Sequence, residues 1–169
     1  TGRMDRQPYL RAKFGQPERA QRIYDAIRAA GKSEGIDFAF DRMKRTPNTL
    51  RSHRLLRMAW EEKCQDEVIE ALFRAYFLEA RDIGNDTVLA DVAASVGMDR
   101  AAIMRFLDGE LYATEVEQED RSARRLGISG VPCFIFNRRY ALSGAQEPEA
   151  FFQLFDLARV DEETMAESW

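Results

Sequence analysis

One apolar run near the C-terminus constrains the fold more than any other feature of the sequence. Residues 133–136 (Cys-Phe-Ile-Phe) are all apolar, which is typical of a short strand covered on both faces. Residues 137–139 predict a polar turn and residues 140–142 a returning strand, so the two runs form a hairpin. An isolated hairpin is only marginally stable in water, so we expect it to belong to a larger sheet. Residues 36–40 offer one weak candidate for a further strand, and as written the sheet is incomplete.

The chain before the hairpin, from Asp5 to about Leu126, has helical periodicity. The strongest apolar stripe consists of Val68, Ile69, Leu72, Phe73, Tyr76 and Phe77. A helix after Asn48 is predicted to turn three residues inward, namely Leu56, Ala59 and Trp60. Pro148 begins a last helix whose predicted inward residues are Phe151, Phe152, Phe155 and Ala158. The order of elements is therefore many helices, then strand, strand and helix.

Composition excludes several classes of function. The 169 residues are 45% hydrophobic and 32% charged, which predicts a globular protein with an adequate core. The formal net charge of −4 provides no basic surface for nucleic acid or for an anionic membrane. No apolar run approaches the roughly 20 residues that a membrane helix needs. We therefore expect neither nucleic acid nor a membrane to be a partner.

The two cysteines, Cys64 and Cys133, form neither a Cys-x-x-Cys pair nor a zinc-ligand pattern. We therefore expect no bound metal, and this cysteine usage favours the reducing cytoplasm. Cys133 is open to two interpretations, as a nucleophilic thiol or as a small apolar strand residue, and the pattern favours the second.

Gly130-Val131-Pro132 immediately precedes the apolar strand. Proline cannot donate to a strand ladder, so Pro132 marks a strand start, an edge or a cis turn. In a cis turn the N–H and C=O of Val131 face outward and can pair with an extended ligand. Spacing alone favours an ordinary trans proline, since only about 5–6% of X–Pro bonds are cis in folded proteins.

His53 is the only histidine, and its spacing places it on the helical face of Leu56 and Trp60. A hydrogen-bonded boundary residue is the simpler interpretation, and a general base or ligand-orienting group is the alternative. Asn48 and Thr49 are predicted to cap the same helix. Alternatively, Asn48 lies at the rim of a cleft.

Residues 127–136 resemble the cis-proline loop and following strand of DsbA-like thioredoxin-fold proteins. Residues 139–146 resemble the FrnE-like branch of that family, which is related to hydroxychromene-carboxylate isomerases and kappa-class glutathione transferases. Upstream segments, residues 31–40, 47–55 and 71–77, are similar to the helical region of that branch. The resemblance thus extends over essentially the whole chain. Cys133 departs from it, because the family usually has Thr there.

The resemblance implies an α/β, thioredoxin-like fold, incomplete here, with a large all-helical insertion domain. The insertion is expected at residues 1–126, the C-terminal half of the thioredoxin-like domain at 127–160, and an acidic, frayed tail at 161–169. The strand, Cys-x-x-Cys and helix with which such proteins begin are not in this sequence. We therefore expect the missing strands before Thr1 or in a partner chain. The catalytic residue stays unassigned, with Cys133 as a candidate.

Three functions follow as hypotheses. The leading one is a thiol–disulfide oxidoreductase or isomerase, in which Val131, Pro132 and Cys133 bind the substrate. The second is a glutathione-dependent isomerase or transferase, with glutathione as co-substrate and with Asn48 and His53 facing a second, small-molecule substrate. The third is a non-catalytic helical binding module. An open sheet edge also predicts a homodimer through that edge.

Overall fold

Helices form most of the chain in the computed structural model, which describes residues 4–166. In chain order they are α1 (Arg6–Phe14), α2 (Pro17–Ser33), α3 (Leu50–Glu61), α4 (Gln65–Phe73), α5 (Asp86–Ser95), α6 (Arg100–Asp108), α7 (Ala113–Arg125) and α8 (Glu149–Ala166). A single 3-10 turn occupies Phe40–Arg42, and α4 continues into a π-helical turn at Arg74–Leu78. None of the helices in the described part of the chain is long and apolar enough to cross a membrane.

The chain divides into two compact units, residues 1–118 and 119–169, and α7 runs across the division. The first unit contains one antiparallel strand pair, β1 (Met4–Asp5) and β2 (Arg45–Thr46). The segment predicted to be all-helical therefore contains two short strands. The predicted domain boundary after residue 126 lies just past the end of α7.

The core of the first unit is aliphatic and is built by α3, α4, α5 and α6. Its fully buried members are Leu55, Ala59, Val68, Leu72, Ala75, Leu89, Ala90, Val92, Ala93, Ile103 and Leu107. They recur three or four positions apart, so each helix presents one apolar stripe to the others. Two side chains cap helices of this core: Asn85 accepts from the N–H groups of Thr87 and Val88, and Asp99 from those that begin α6. The core thus forms from local helices with defined starts.

Arg54 is a cation inside this core, with only 2% of its surface exposed. Its Nε donates to the carbonyl of Leu111 at 2.8 Å, and one terminal nitrogen donates to Phe106 at 3.1 Å and Gly109 at 2.5 Å. The guanidinium also lies 5.1 Å from the centre of the Phe106 ring. Arg54 therefore binds carbonyls that the C-terminal end of α6 leaves without helical partners. Burial lowers the pKa of this guanidinium, as expected for a cation removed from water.

Aromatic packing replaces the strand predicted at residues 36–40. Phe38 stacks on Phe40 with ring centres 4.8 Å apart and meets Phe77 edge to face at 5.8 Å. The N–H of Ala39 donates to the carbonyl of Phe77 at 2.7 Å, so this backbone pairs with the π-helical turn and not with a sheet. Gly31 permits the close approach of Phe38, because a Cβ on Gly31 would lie 2.4 Å from that ring. The predicted extended segment is therefore wrong.

The second unit contains the predicted hairpin, formed by β3 (Cys133–Phe136) and β4 (Tyr140–Ser143). Asn137 and Arg138 in the turn have φ values of 48° and 59°, and the N–H of Arg139 donates to the carbonyl of Phe136. Left-handed residues in such a turn match the twist of the two strands. In the described residues no further strand pairs with β3 or β4.

Helix α8 covers one face of the hairpin. The ring of Phe151 lies 4.9 Å from Phe134, and the ring of Phe155 lies 5.5 Å from Phe136. Phe152, which we predicted to point inward, is 59% exposed, and Phe155 remains half exposed despite its contact. The helix also continues to Ala166, beyond residue 161 where a frayed tail was expected. None of residues 119–160 is fully buried.

Replacing Arg54 with Met is expected to destabilise the protein by about 2–4 kcal/mol, since several carbonyls would lose their hydrogen-bond donor in a buried position. Urea unfolding measures the free energy. Arg105→Met is the matched control, because Arg105 is exposed on α6, and it should change stability by less than about 0.5 kcal/mol. Equal midpoints for the two variants would contradict the role assigned to Arg54.

Lys63→Gly is expected to stabilise the protein by about 0.5–1 kcal/mol. Lys63 follows α3 with a φ of 59°, and the N–H of Cys64 reaches back to the carbonyl of Ala59 at 2.9 Å, the arrangement in which helix ends favour glycine. Lys63→Ala keeps the unfavourable φ and should bring no such gain. If both variants unfold at the same denaturant concentration, the left-handed conformation does not limit stability.

Candidate functional site

The segment Val131-Pro132-Cys133 joins the end of α7 to the hairpin. The Val131–Pro132 bond is cis, as the resemblance implied. The carbonyl of Pro132 accepts a hydrogen bond from the N–H of Gly144 at 2.8 Å, which ties the segment to the end of β4. Pro132 lies just before β3, where no ladder donor is required of it. The segment is therefore anchored on its C-terminal side.

Val131 itself is the most exposed large apolar residue of the described chain, at 89%. Neither its N–H nor its C=O makes a hydrogen bond to another residue between positions 4 and 166. A donor and an acceptor of one extended residue can pair with a ligand backbone, as in the addition of a strand to a sheet edge. The geometry thus offers one backbone pairing position directly before β3.

Cys133 begins β3, opposite Ser143 of β4. Directly opposed residues point to the same face, so Cys133 and Ser143 lie on the face away from α8, whereas Phe134 packs on α8. Cys133 is half-buried, and it is a free thiol. Its neighbour on the same face, Ile135, is 48% exposed. The homodimer predicted through an open edge of the sheet stays a prediction.

Asn48 lies at the start of α3 in the first unit. Its Oδ1 accepts a hydrogen bond from the N–H of Leu50 at 3.0 Å, whereas Thr49 makes no side-chain capping bond. The predicted cap is therefore confirmed for Asn48 and wrong for Thr49. Gly84 packs on the backbone here, because a Cβ on Gly84 would lie 2.9 Å from the carbonyl oxygen of Asn48.

His53 lies in the first turn of α3 and is exposed. The prediction that it shares an inward face with Leu56 and Trp60 is wrong, since Trp60 is 61% exposed and Leu56 only half-buried. The residues of α3 that enter the core are Ser52, Arg54, Leu55 and Ala59. The prediction failed because two polar residues, Ser52 and Arg54, occupy the inward face of α3, which apolar spacing does not record. The substrate-binding roles predicted for Asn48 and His53 stay predictions.

Cys64, the second thiol, lies between α3 and α4 and is half-buried. Burial raises the pKa of its thiol, and the neighbouring carboxylates of Glu67 and Glu62 raise it further. Such a thiol holds less thiolate at neutral pH than an ordinary cysteine, which makes it a poor nucleophile. In residues 4–166 no three His, Cys, Asp or Glu side chains are grouped in a way that could hold a metal ion.

Comparison with known proteins adds to this geometry. Residues 2–156 match the family model of the DSBA-like thioredoxin domain. The crystal structure of a probable DsbA oxidoreductase from Streptomyces coelicolor is 31% identical, with a TM-score of 0.79, over 92% of this chain and 68% of that chain. Among curated proteins, none matches at a significant level. The predicted thioredoxin-like fold with a large helical part is confirmed, whereas the FrnE-like branch stays a prediction.

The alkylation of Cys64 should show a midpoint above the ordinary thiol pKa of about 8.5. The measurement is the rate of iodoacetamide labelling against pH in a Cys133→Ser variant, with the urea-unfolded chain as the reference. Because the folded protein holds this proton more tightly than the unfolded chain, Cys64 makes the free energy of unfolding fall as the pH rises through the alkaline range. A folded-state midpoint at or below the unfolded one would contradict this.

Proposed function

Because the chain belongs to the DsbA-like thioredoxin family, a family of thiol–disulfide oxidoreductases, we propose that this protein catalyses thiol–disulfide exchange on the disulfides of extended polypeptides. The observation that carries the proposal is the exposed backbone of Val131, whose N–H and C=O are unpaired in the described residues. A substrate segment can pair with both groups and so lie beside Val131 as an added strand.

Backbone pairing explains how such a site accepts different substrates. Main-chain hydrogen bonds supply affinity without selecting a sequence, and selectivity then depends on neighbouring side chains. The Val131 side chain is almost fully exposed, so it leaves space beside the paired backbone. Pro132 adds no competing donor, and its own carbonyl is already bound to Gly144. The pairing position is therefore fixed, and the contacts around it are variable.

Thiol–disulfide exchange requires a thiolate that attacks one sulfur of the substrate disulfide. A new S–S bond forms to the attacking sulfur, the old S–S bond breaks, and the other substrate sulfur leaves as a thiolate. Of the two thiols in this sequence, Cys133 is the candidate to contact a substrate sulfur, because it follows the binding segment directly. Cys64 is disfavoured by its raised pKa.

The same backbone position also suits the alternative, a glutathione-dependent isomerase or transferase. Glutathione is a short peptide, and its cysteinyl N–H and C=O could pair with Val131 as a longer substrate does. In that case Asn48 and His53 are the side chains we propose for contact with the second substrate.

We expect Val131→Pro to lower the rate of dithiothreitol-driven insulin reduction at least about tenfold, because it removes the only N–H at the pairing position. Val131→Ala keeps that N–H and should remain within about twofold. The assay uses the protein purified from its own cells, and thermal melts show that both variants stay folded.

The outcomes separate the three hypotheses. Equal activity of the two Val131 variants would refute backbone binding at this position. If the unmodified protein reduces no insulin but is retained on immobilised glutathione, the transferase or isomerase function replaces the proposal. If the protein neither reduces insulin nor is retained on glutathione, the non-catalytic binding module replaces the proposal.

A further inference from the structure

The C-terminal end of α3 and the first turn of α4 line a cavity of about 560 Å³ in the first unit, which is open to solvent. We call it the Trp60 cavity, and the side chains used below are Arg57, Trp60, Glu61, Lys63, Asp66 and Glu67. Its volume lies in the range of ligand-binding pockets. Trp60 is 61% exposed in its wall, although tryptophan is among the side chains that most often anchor a partner.

Part of this wall is held in place by Tyr112. The Tyr112 hydroxyl donates to Glu61 Oε2 at 2.6 Å, and the Arg57 guanidinium lies 6.0 Å from the centre of the Tyr112 ring. Arg57 and Glu61 also approach each other to 3.9 Å. Arg57 and Glu61, one cation and one anion of the wall, are therefore paired with each other. The side of the cavity next to Trp60 is thereby formed before any ligand binds.

The remaining charges are unequal. Among the described residues, Lys63, Asp66 and Glu67 make no ion pair, so one cation and two carboxylates remain around the indole. Carboxylates in a first helical turn also stabilise the helix by themselves, which accounts for part of their presence on α4. The excess is nevertheless negative, and an indole face attracts cations through its ring electrons. The cavity therefore complements a positively charged group.

We propose that the Trp60 cavity binds a lysine or arginine side chain of a polypeptide partner, with the cation over the indole of Trp60 and near Asp66 and Glu67. The volume accommodates such a side chain together with its flanking backbone. This surface lies within the first unit and uses none of the residues of the Val131 segment. It goes beyond thiol–disulfide exchange and holds whether or not that proposal is correct.

Fluorescence anisotropy of a short labelled peptide, with lysines in a Gly-Ser background, tests the proposal on the complete protein without any thiol reagent. We expect the lysine peptide to bind, with an affinity that falls as salt is added, and the same peptide with glutamates not to bind. Trp60→Ala should weaken binding about fivefold or more. Phe73→Ala is the matched control, because Phe73 is a similarly exposed aromatic residue outside the cavity, and it should have no effect.

Charge variants make the test sharper. Lys63→Gln removes the competing cation and should strengthen binding, whereas Asp66→Asn combined with Glu67→Gln should weaken it. Glu115→Gln, in the first turn of α7, controls for the general loss of a helix-start carboxylate and should leave binding unchanged. Melting curves establish that each variant is folded.

Three results would overturn the proposal: equal binding of the lysine and glutamate peptides, unchanged binding by Trp60→Ala, or weaker binding by Lys63→Gln. Binding of N-acetyl-lysine amide as tight as that of the peptide would also overturn it, because the site would then recognise a small cation and not a polypeptide.

Discussion

The hydrogen bonds of the buried Arg54 guanidinium hold three parts of the first unit together. Through the carbonyls of Phe106, Gly109 and Leu111 they fasten α3 to the end of α6 and to the loop that leads to α7. A buried cation is costly unless its donors are satisfied. Movement of this loop would therefore leave the Arg54 guanidinium buried without hydrogen-bond acceptors. Tyr112, the next residue, is consequently fixed where its hydroxyl reaches Glu61.

The two units differ in how their apolar surface is used. The first buries a continuous aliphatic core, whereas no residue between 119 and 160 is fully buried. In the second unit α8 covers one face of the hairpin, and Ile135 on the other face remains half exposed. Burial of apolar area is the main source of folding free energy, so the hairpin gains much less from its own contacts than α3 to α6 do. The exposed Val131 backbone belongs to this sparsely packed unit.

Local chemistry made part of this fold predictable from sequence. Asp99, a residue type favoured at helix starts, caps α6, and the apolar run at residues 133–136 forms the predicted hairpin with its returning strand. The wrong predictions for Trp60 and Phe152 share one cause, which is that periodicity treats apolar residues as inward and polar ones as outward. Arg54 is buried because carbonyls more than fifty positions further along the chain accept its hydrogen bonds. This outcome depends on contacts between segments far apart in the chain, which periodicity does not record.

The same distinction separates the two candidate sites. The Val131 segment is contiguous, so its three residues and the resemblance of residues 127–136 to a known loop were sufficient to mark it, including the cis bond. The Trp60 cavity depends on Tyr112, about fifty positions from Trp60, and on the left-handed backbone of Lys63 and of Tyr112 itself. Left-handed residues such as Asn137 and Arg138 are explained by the twist of a hairpin turn. Lys63 and Tyr112 lie in no hairpin. Lys63 closes the end of α3 and its side chain lines the Trp60 cavity, whereas the Tyr112 hydroxyl supports the cavity wall through Glu61.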